Sequence, residues 1–353
     1  MGTLRFVLAL LVVFQHIALI PFVGGHAVIF FFVISGYLMT LVMQTSYAGE
    51  GGLARFWANR VLRLYPAYGA LIALSVAVFL AIPDGFTRRL NSNLRLPADL
   101  SGWLQSLTMI YVDFTPQAVS PRIAPATWAI TTELVFYLMI SLGASRSKRR
   151  ALVWFSVSLV YVAWSLLQDD PYRYVYSAIP AGSLPFSCGA LIFHYRENLA
   201  RLLADRAPMV LFAGLSLLAG IMALRIAGFI RFDSDVLGPY AILSTVPIAL
   251  VVSAALVTSR WSPFPRTWDK LLGDLSYPIY ICHWTAALTA AWVLEIPQRS
   301  RSIEGLILTV ATIALSVLFG VMVTRLIDRR IERYREAIRN RRMLAGDPIA
   351  RPV

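Results

Sequence analysis

Two ionisable side chains, Arg5 and His16, interrupt an apolar segment near the start of the chain. Charge inside a membrane span is costly, so such residues mark functional sites by default. On a helix, the eleven-residue spacing makes about three turns plus 20°, which puts both side chains on one face, about 16 Å apart. We therefore predict a helix with a permanent cation near one end and a proton-transfer group deeper in.

A carboxylate, Glu133, interrupts the fourth apolar segment. Counting about 1.5 Å per residue from the predicted inner surface places His16 at about 18 Å and Glu133 at about 15 Å. A carboxylate beside an imidazole raises its basicity and fixes its tautomer. We predict that His16 is a general base and that Glu133 orients it; a purely structural pair between helices is the alternative.

Three further polar residues are candidates for a tunnel lining or for support of this site. Ser35 lies at a depth similar to that of His16, while Tyr137 and His283 lie about 9 Å from the inner surface. Helix packing through small residues is the alternative role for Ser35. His26, in a predicted outer loop, is either a solvated histidine or a contact for a second substrate.

A basic segment between the second and third apolar segments contains Arg60 and Arg63. Residues three apart share a helix face, and two guanidinium groups on one face suit phosphate. Lipid headgroup anchoring is the alternative. With Arg5 beside them and a base about 16 Å deeper, the arrangement suits a long ligand with an anionic cytoplasmic end and a reactive end in the membrane, as in coenzyme A thioesters.

The composition requires a membrane protein to position these groups. The chain is 58% hydrophobic and 14% charged, with a mean hydropathy of +0.66, which is far from a soluble domain. Ten apolar segments are long enough to span a bilayer: 4–20, 28–45, 66–83, 126–143, 151–167, 176–194, 207–227, 237–257, 277–294 and 305–325. We predict an all-α polytopic membrane protein of about ten transmembrane helices.

The net charge of +13 is distributed according to the positive-inside rule. Most of the 32 Lys and Arg residues fall in segments that share one side if both termini are cytoplasmic. The charge therefore indicates topology and not nucleic-acid binding. We predict a transmembrane domain over residues 1–328 and a basic amphipathic cytoplasmic tail over 329–353, held at the inner lipid surface.

Two remaining features concern metals, disulfides and the outer surface. The two cysteines, Cys188 and Cys282, fall inside predicted spans, which argues against a disulfide framework. No Cys/His spacing is typical of a zinc site. The long outer stretch 84–125 is the expected platform for an acceptor substrate. Its aromatic residues Trp103, Tyr111 and Phe114 could stack on sugar rings or anchor the segment at the interface.

Five segments, in order, resemble signatures of the membrane-bound acyltransferase-3 family over nearly the whole chain. They are Arg5-x10-His16, Phe31-Phe-Val-Ile-Ser-Gly-Tyr-Leu38, Arg60-Val-Leu-Arg63-Leu-Tyr-Pro66, Thr127-Trp-Ala-Ile-Thr-Thr-Glu133-Leu-Val-Phe-Tyr137 and Leu275-Ser-Tyr-Pro-Ile-Tyr-Ile-Cys-His283. Two positions depart from the family pattern: Ala129 replaces a usual Ser, and Leu134 replaces a second Glu found in many members. The chain also ends soon after the tenth predicted span, so we expect no fused extracytoplasmic hydrolase-like domain.

The resemblance implies an O-acyltransferase without a permanently bound cofactor. Acetyl-CoA or another acyl-CoA would be the donor, and a carbohydrate or glycolipid at the outer face would be the acceptor. The bilayer, and proteins of polysaccharide biosynthesis or export, are the expected surroundings, with the bacterial cytoplasmic membrane as the location. The resemblance assigns acyl-CoA binding to Arg5, Arg60 and Arg63, and leaves direct transfer and an acyl-histidine intermediate both open.

A proton-coupled transporter of an anionic or sugar substrate is the rival class. In that reading His16 and Glu133 carry protons and the arginines hold the substrate. Inverted repeats would favour it, and the sequence contains no clear repeat. A scaffold without chemistry fits least well, because it has no reason to bury ionisable side chains.

Overall fold

The computed structural model describes residues 1–20, 23–226, 238–259 and 264–340. Throughout this part of the chain the secondary structure is helical, with one isolated β-bridge between Leu94 and Arg122 and no strand. The α-helices are α1 (Gly2–Ile17), α2 (Val23–Gln44), α3 (Gly52–Ala81), α4 (Asp84–Leu90), α5 (Leu100–Thr108), α6 (Trp128–Ser141), α7 (Lys148–Ser165), α8 (Ser183–Leu203), α9 (Ala207–Ile226), α10 (Gly238–Leu243), α11 (Thr245–Thr258), α12 (Arg266–Val293), α13 (Ile303–Val323) and α14 (Arg329–Asn340).

Several helical stretches are long and apolar enough to cross a membrane, which confirms the all-α membrane class. Five such stretches occur among the described residues: Val23–Gln44, Gly52–Ala81, Ile179–Leu224, Gly238–Thr258 and Ile303–Glu336. Each of the ten predicted spans overlaps at least one helix. The count of ten crossings and the cytoplasmic side of the termini stay predictions.

Two helices begin well before the spans predicted for them. The α3 helix starts at Gly52, so Pro66, the first residue of the predicted span 66–83, lies inside the helix. The α12 helix starts at Arg266 and not near residue 277. Hydropathy detects only the lipid-facing part of a helix, whereas backbone hydrogen bonding continues through polar residues beyond it.

The α1 and α12 helices lie side by side and point the same way. At their N-terminal ends, Gly2 and Gly273 bring the backbones so close that a Cβ on Gly2 would lie 1.8 Å from the Asp269 carbonyl oxygen. The Asp269 carboxylate also accepts hydrogen bonds from the Gly2 and Thr3 amides, at 3.1 and 2.8 Å, and from the Thr3 hydroxyl at 2.8 Å. A side chain of α12 therefore caps the start of α1, where backbone N–H groups lack partners within the helix.

A second close contact joins α2 to α8. A Cβ on Gly36 would lie 2.2 Å from the Phe186 carbonyl oxygen, and one on Gly189 would lie 2.1 Å from the Val33 carbonyl oxygen. Small residues allow such approach between membrane helices, where packing replaces the hydrophobic effect as the driving force. The contact holds Ser35, next to Gly36, at the centre of the bundle.

The predicted tail is helical where the structure describes it. The α14 helix packs on α3, where the Asn59 side chain donates to the Arg335 carbonyl at 3.1 Å and accepts from the Arg335 Nε at 3.3 Å. This docking on α3 is a contact that amphipathic patterning alone does not indicate. Residues 341–353 of the predicted tail lie outside the described residues, and its position on a lipid surface stays a prediction.

Two outer-segment predictions are wrong. Tyr111 is buried, with its hydroxyl bonded to that of Thr127 at 2.8 Å, and cannot form an exposed stacking platform. His26 lies not in a loop but within α2, buried against the Thr245 hydroxyl of α11. The glycine pair before His26 imitates loop composition, and Tyr111 lies in a stretch too short to span a membrane. The packing around each residue buries its side chain. Trp103 is partly buried and Phe114 is exposed.

Candidate active site

The centre of the site is a pair of imidazoles on α1 and α12. The Nδ1 atom of His16 lies 2.9 Å from the Nε2 atom of His283, and the Nδ1 atom of His283 lies 2.8 Å from the Tyr280 carbonyl oxygen. A carbonyl only accepts, so Nδ1 of His283 carries a proton, and in the neutral ring Nε2 is then an acceptor. The His16 Nδ1 must donate to it, which leaves Nε2 of neutral His16 unprotonated and available as a base.

Two neighbours hold the imidazole pair in place. The planes of the His16 and His283 rings are 9° apart with centroids 5.1 Å apart, and the centroid of the Trp284 ring lies 5.2 Å from that of His16. Arg299, in the connection after α12, donates at 2.8 Å to the backbone carbonyls of both His16 and Leu90. Burial lowers the pKa of Arg299. These contacts orient His16 from the side facing away from the α1 N-terminus.

The structure does not bring His16 and Glu133 together as a hydrogen-bonded dyad. The Glu133 carboxylate instead accepts from the Ser35 hydroxyl at 2.9 Å and from the Tyr137 hydroxyl at 2.7 Å. The direct contact through which Glu133 was expected to orient His16 is therefore not present among the described residues, because His283 lies in the partner position. The catalytic roles of His16 and Glu133 stay predictions. The depth count failed for His283 because α12 extends eleven residues further than the predicted span.

Two of the three predicted phosphate-binding arginines lie within electrostatic range of the Glu133 carboxylate. The charges of Arg5 and Arg60 both act on Glu133, and neither side chain forms a hydrogen bond or ion pair with another described residue. Arg60 lies over the Phe56 ring at 5.6 Å. Arg63 differs, since its Nη2 is 3.2 Å from a carboxylate oxygen of Asp274 on α12. Of these three arginines, Arg5 and Arg60 are thus the two without an ion-pair partner among the described residues.

A narrow cavity lies among the helices that contribute Arg5, Glu133 and Tyr280. Its volume is about 40 Å³, and its walls come from α1, α2, α6 and α12, with Arg5, Phe31, Glu133, Tyr277 and Tyr280 among them. The histidines themselves do not line it. Tyr280 forms the connection, because its side chain lines the cavity while its carbonyl accepts from His283.

Arg122 is a buried cation that the sequence reasoning did not identify. Only 3% of its surface is exposed, its Nη2 donates to the Gln117 carbonyl at 2.9 Å, and its Nε and Nη1 have no partner among the described residues. Its guanidinium lies 5.7 Å from the Tyr111 ring centroid, and its charge acts on Tyr280 and on His16. Nothing in the local sequence distinguishes it from an exposed loop arginine.

A comparison with known protein families identifies the family of the chain. A family model described as an acyltransferase domain matches residues 2–321, nearly the whole chain. The chain therefore belongs to the membrane-bound acyltransferase-3 family, and fold and family together define a membrane acyltransferase. No solved structure matches the chain.

Curated relatives have names that point to acyl transfer onto carbohydrate. The chain is 27% identical over 303 residues to the peptidoglycan O-acetyltransferase OatA of Listeria monocytogenes, covering 78% of this chain and 47% of that protein. It is 25% identical over 296 residues, 77% of this chain, to YrhL of Bacillus subtilis, which carries the same name provisionally and of which 46% is covered. The chain thus spans about half the length of these two relatives.

A third relative is matched over more of its length. The chain is 27% identical over 308 residues to BcsY of Komagataeibacter xylinus, provisionally named a membrane-bound transacylase, covering 81% of this chain and 72% of that protein.

Proposed function

We propose that this protein is an integral membrane O-acyltransferase that moves an acyl group, most simply acetyl, from cytoplasmic acyl-CoA to a hydroxyl of an exported or cell-surface carbohydrate. The observation that carries the proposal is the hydrogen-bonded order Tyr280 carbonyl, His283, His16, which leaves one imidazole nitrogen as a free base in a member of an acyltransferase family. The relatives named for peptidoglycan O-acetylation support a carbohydrate acceptor.

The donor would bind along the cavity. Arg5 and Arg60, which form no ion pair with a described carboxylate, would contact phosphate groups of CoA at the cytoplasmic side. The pantetheine arm would follow the cavity toward Tyr280, so the cavity must widen when the donor binds. A helix spacing of about 16 Å between Arg5 and His16 suits a ligand whose charged and reactive ends are far apart. Glu133, with Ser35 and Tyr137, would hold the two arginines in position.

The chemical step would use the free Nε2 of His16. In direct transfer, this nitrogen takes the proton of the acceptor hydroxyl as the oxygen attacks the thioester carbonyl; the carbon–sulfur bond breaks, and the CoA thiolate receives the proton. In the two-step route, Nε2 attacks the carbonyl, and the carbon–sulfur bond breaks to release the CoA thiolate. The acceptor oxygen then attacks the acyl carbon, the carbon–nitrogen bond to His16 breaks, and the freed Nε2 takes the hydroxyl proton, which balances the thiolate. Arg122, with two unpaired N–H nitrogens, would stabilise the negative oxygen formed in either route.

Acetyl-labelled acetyl-CoA tests the proposal with purified protein in lipid nanodiscs and isolated cell-surface carbohydrate. We expect label in the carbohydrate together with stoichiometric release of CoA. His16→Gln should still bind CoA but lose about 10²–10⁴-fold in rate, the usual contribution of a general base. In sealed proteoliposomes, entry of labelled substrate into the lumen without release of CoA would establish a transporter instead. Acid-quenched protein that carries label only when His16 is present would identify the two-step route.

A further inference from the structure

A groove separate from the narrow cavity lies in the segment predicted to face outward. It is bounded by the end of α3, by α4, by residues 94–98 and by Pro121, with a volume of about 460 Å³. This volume is within the range of ligand sites in proteins, about 300–1,000 Å³. The groove combines apolar walls, such as Phe79 and Leu96, with two guanidinium groups, those of Arg88 and Arg95.

The two arginines of the groove differ in what they contact. Arg88 is bonded to the Asp84 carboxylate, one turn earlier in α4, at 2.6 Å. Arg95 forms no hydrogen bond or ion pair with any described residue, and its Nε is buried without a partner. A buried donor is stabilised by a hydrogen-bond partner, and an anion that bonds to Arg95 would supply the partner that its Nε lacks among the described residues. Asp84 is already neutralised by Arg88 and does not cancel this charge.

Backbone contacts through Arg122 and Arg299 connect the groove region with the surroundings of the imidazole pair. Leu94, in the groove wall, forms the β-bridge with Arg122, whose amide donates to the Asn93 carbonyl at 3.1 Å. Leu90, at the end of α4, accepts from Arg299, which also bonds to the His16 carbonyl. The groove therefore lies on the C-terminal side of His16 in α1, whereas the narrow cavity with Arg5 lies on the N-terminal side.

We propose that this groove binds the carbohydrate acceptor and that Arg95 binds a carboxylate carried by it. The guanidinium fork matches a carboxylate in bidentate geometry, and the apolar walls suit the C–H face of a sugar ring. The proposal rests on the proposed function for the meaning of acceptor, but binding can be measured without any transfer. It limits the acceptor class to acidic carbohydrates.

Two matched trisaccharides provide the probe: trigalacturonate, and the neutral trisaccharide obtained by reducing its carboxylates. Binding is measured by calorimetry on the full chain in nanodiscs of zwitterionic lipid. Arg95→Gln is compared with Arg89→Gln, which removes an exposed charge from the neighbouring α4 helix outside the groove. We expect the acidic trisaccharide to bind more tightly, and Arg95→Gln alone to weaken it by roughly tenfold or more, the size of one charge-assisted hydrogen bond.

The controls separate this inference from the proposed function. Both variants should bind CoA as the unchanged protein does, which also shows that they are folded. Equal affinity for the two trisaccharides, or equal loss in the two variants, would overturn the groove assignment even if acyl transfer occurs. Selective binding that depends on Arg95, in a protein that transfers nothing from acetyl-CoA, would leave the groove assignment standing and remove the proposed function.

Discussion

His16 and His283 occupy equivalent positions on two parallel helices. Asp269 caps α1 at Gly2, and fourteen residues further along each helix His16 and His283 meet, with their ring nitrogens 2.9 Å apart. Helices in the same direction rise at the same rate, about 1.5 Å per residue. A contact at their starts therefore sets the level of the imidazoles about 21 Å further along.

This pairing predicts that His283 positions His16 through an acceptor nitrogen. In His283→Leu, His16 loses the partner that stabilises its protonated form, so kcat should fall by about 10–150-fold, equivalent to about 1.5–3 kcal/mol for a hydrogen bond to a charged group. His283→Gln retains an acceptor near the same place and should restore part of the rate. Steady-state kinetics with acetyl-CoA check this, with KM for the donor expected to change little. Equal rates for the Leu and Gln variants would contradict the positioning role.

Glu133 and His283 belong to separate hydrogen-bond networks, which predicts how their variants combine. Groups without shared partners usually contribute independently, whereas groups in contact do not. The activity losses of Glu133→Gln and His283→Leu should therefore multiply in the double variant. The activity losses of Glu133→Gln and Tyr137→Phe should combine to less than their product, because both variants interrupt the same hydrogen bond of 2.7 Å. The two double-variant cycles are measured in one transfer assay, and strong coupling between Glu133 and His283 would contradict the separation of their hydrogen-bond networks.

Arg60 and Arg63 should differ in what their removal changes. Arg60→Ala should weaken CoA binding through loss of a charge-assisted contact worth about 1.5–3 kcal/mol. Arg63→Ala should mainly lower the melting temperature, because Arg63 pairs with Asp274. Calorimetry with CoA and a thermal unfolding assay distinguish the two effects. Arg149→Ala, which removes a charge elsewhere on the predicted cytoplasmic side, is the control. Loss of CoA affinity in Arg63→Ala alone would reverse the assignment.

The Asp269 cap predicts a pH-dependent contribution to stability. Partial burial works to raise the pKa of Asp269, but the hydrogen bonds from Thr3 and Gly2 outweigh it and hold the pKa at about 2, below its ordinary 3.8. A carboxylate with a depressed pKa in the folded state stabilises the protein above the pKa of the unfolded state. Its contribution is lost as the pH falls through the folded value.

Asp269→Asn should therefore lower the melting temperature at pH 7, and the difference from the unchanged protein should shrink between about pH 4 and pH 2. Thermal unfolding in detergent across this range provides the measurement. Asp169→Asn, at an exposed position, should have no comparable effect. A difference that stays constant from pH 7 to pH 2 would mean that shape and not charge makes the cap stabilising.

The class of protein and the residue types of the site could be predicted from the sequence. Apolar segments of bilayer length are sufficient to indicate membrane helices, because a helix satisfies every backbone hydrogen bond in lipid within a single segment. The spacing of Arg5 and His16 depends only on the geometry of one helix. Ordered motifs along the chain indicated the acyltransferase family, and the family match confirms it.

Which side chains meet was decided by tertiary structure alone. The choice of His283 over Glu133 as the partner of His16 depends on the length of α12 beyond the lipid-facing part and on the close approach of Gly2 and Gly273. The same is true of Arg122, which becomes part of the site through a bridge to Leu94. Hydropathy and periodicity describe one helix at a time. Distances between residues more than 200 positions apart depend on how helices pack, and those contacts leave no local pattern in the chain.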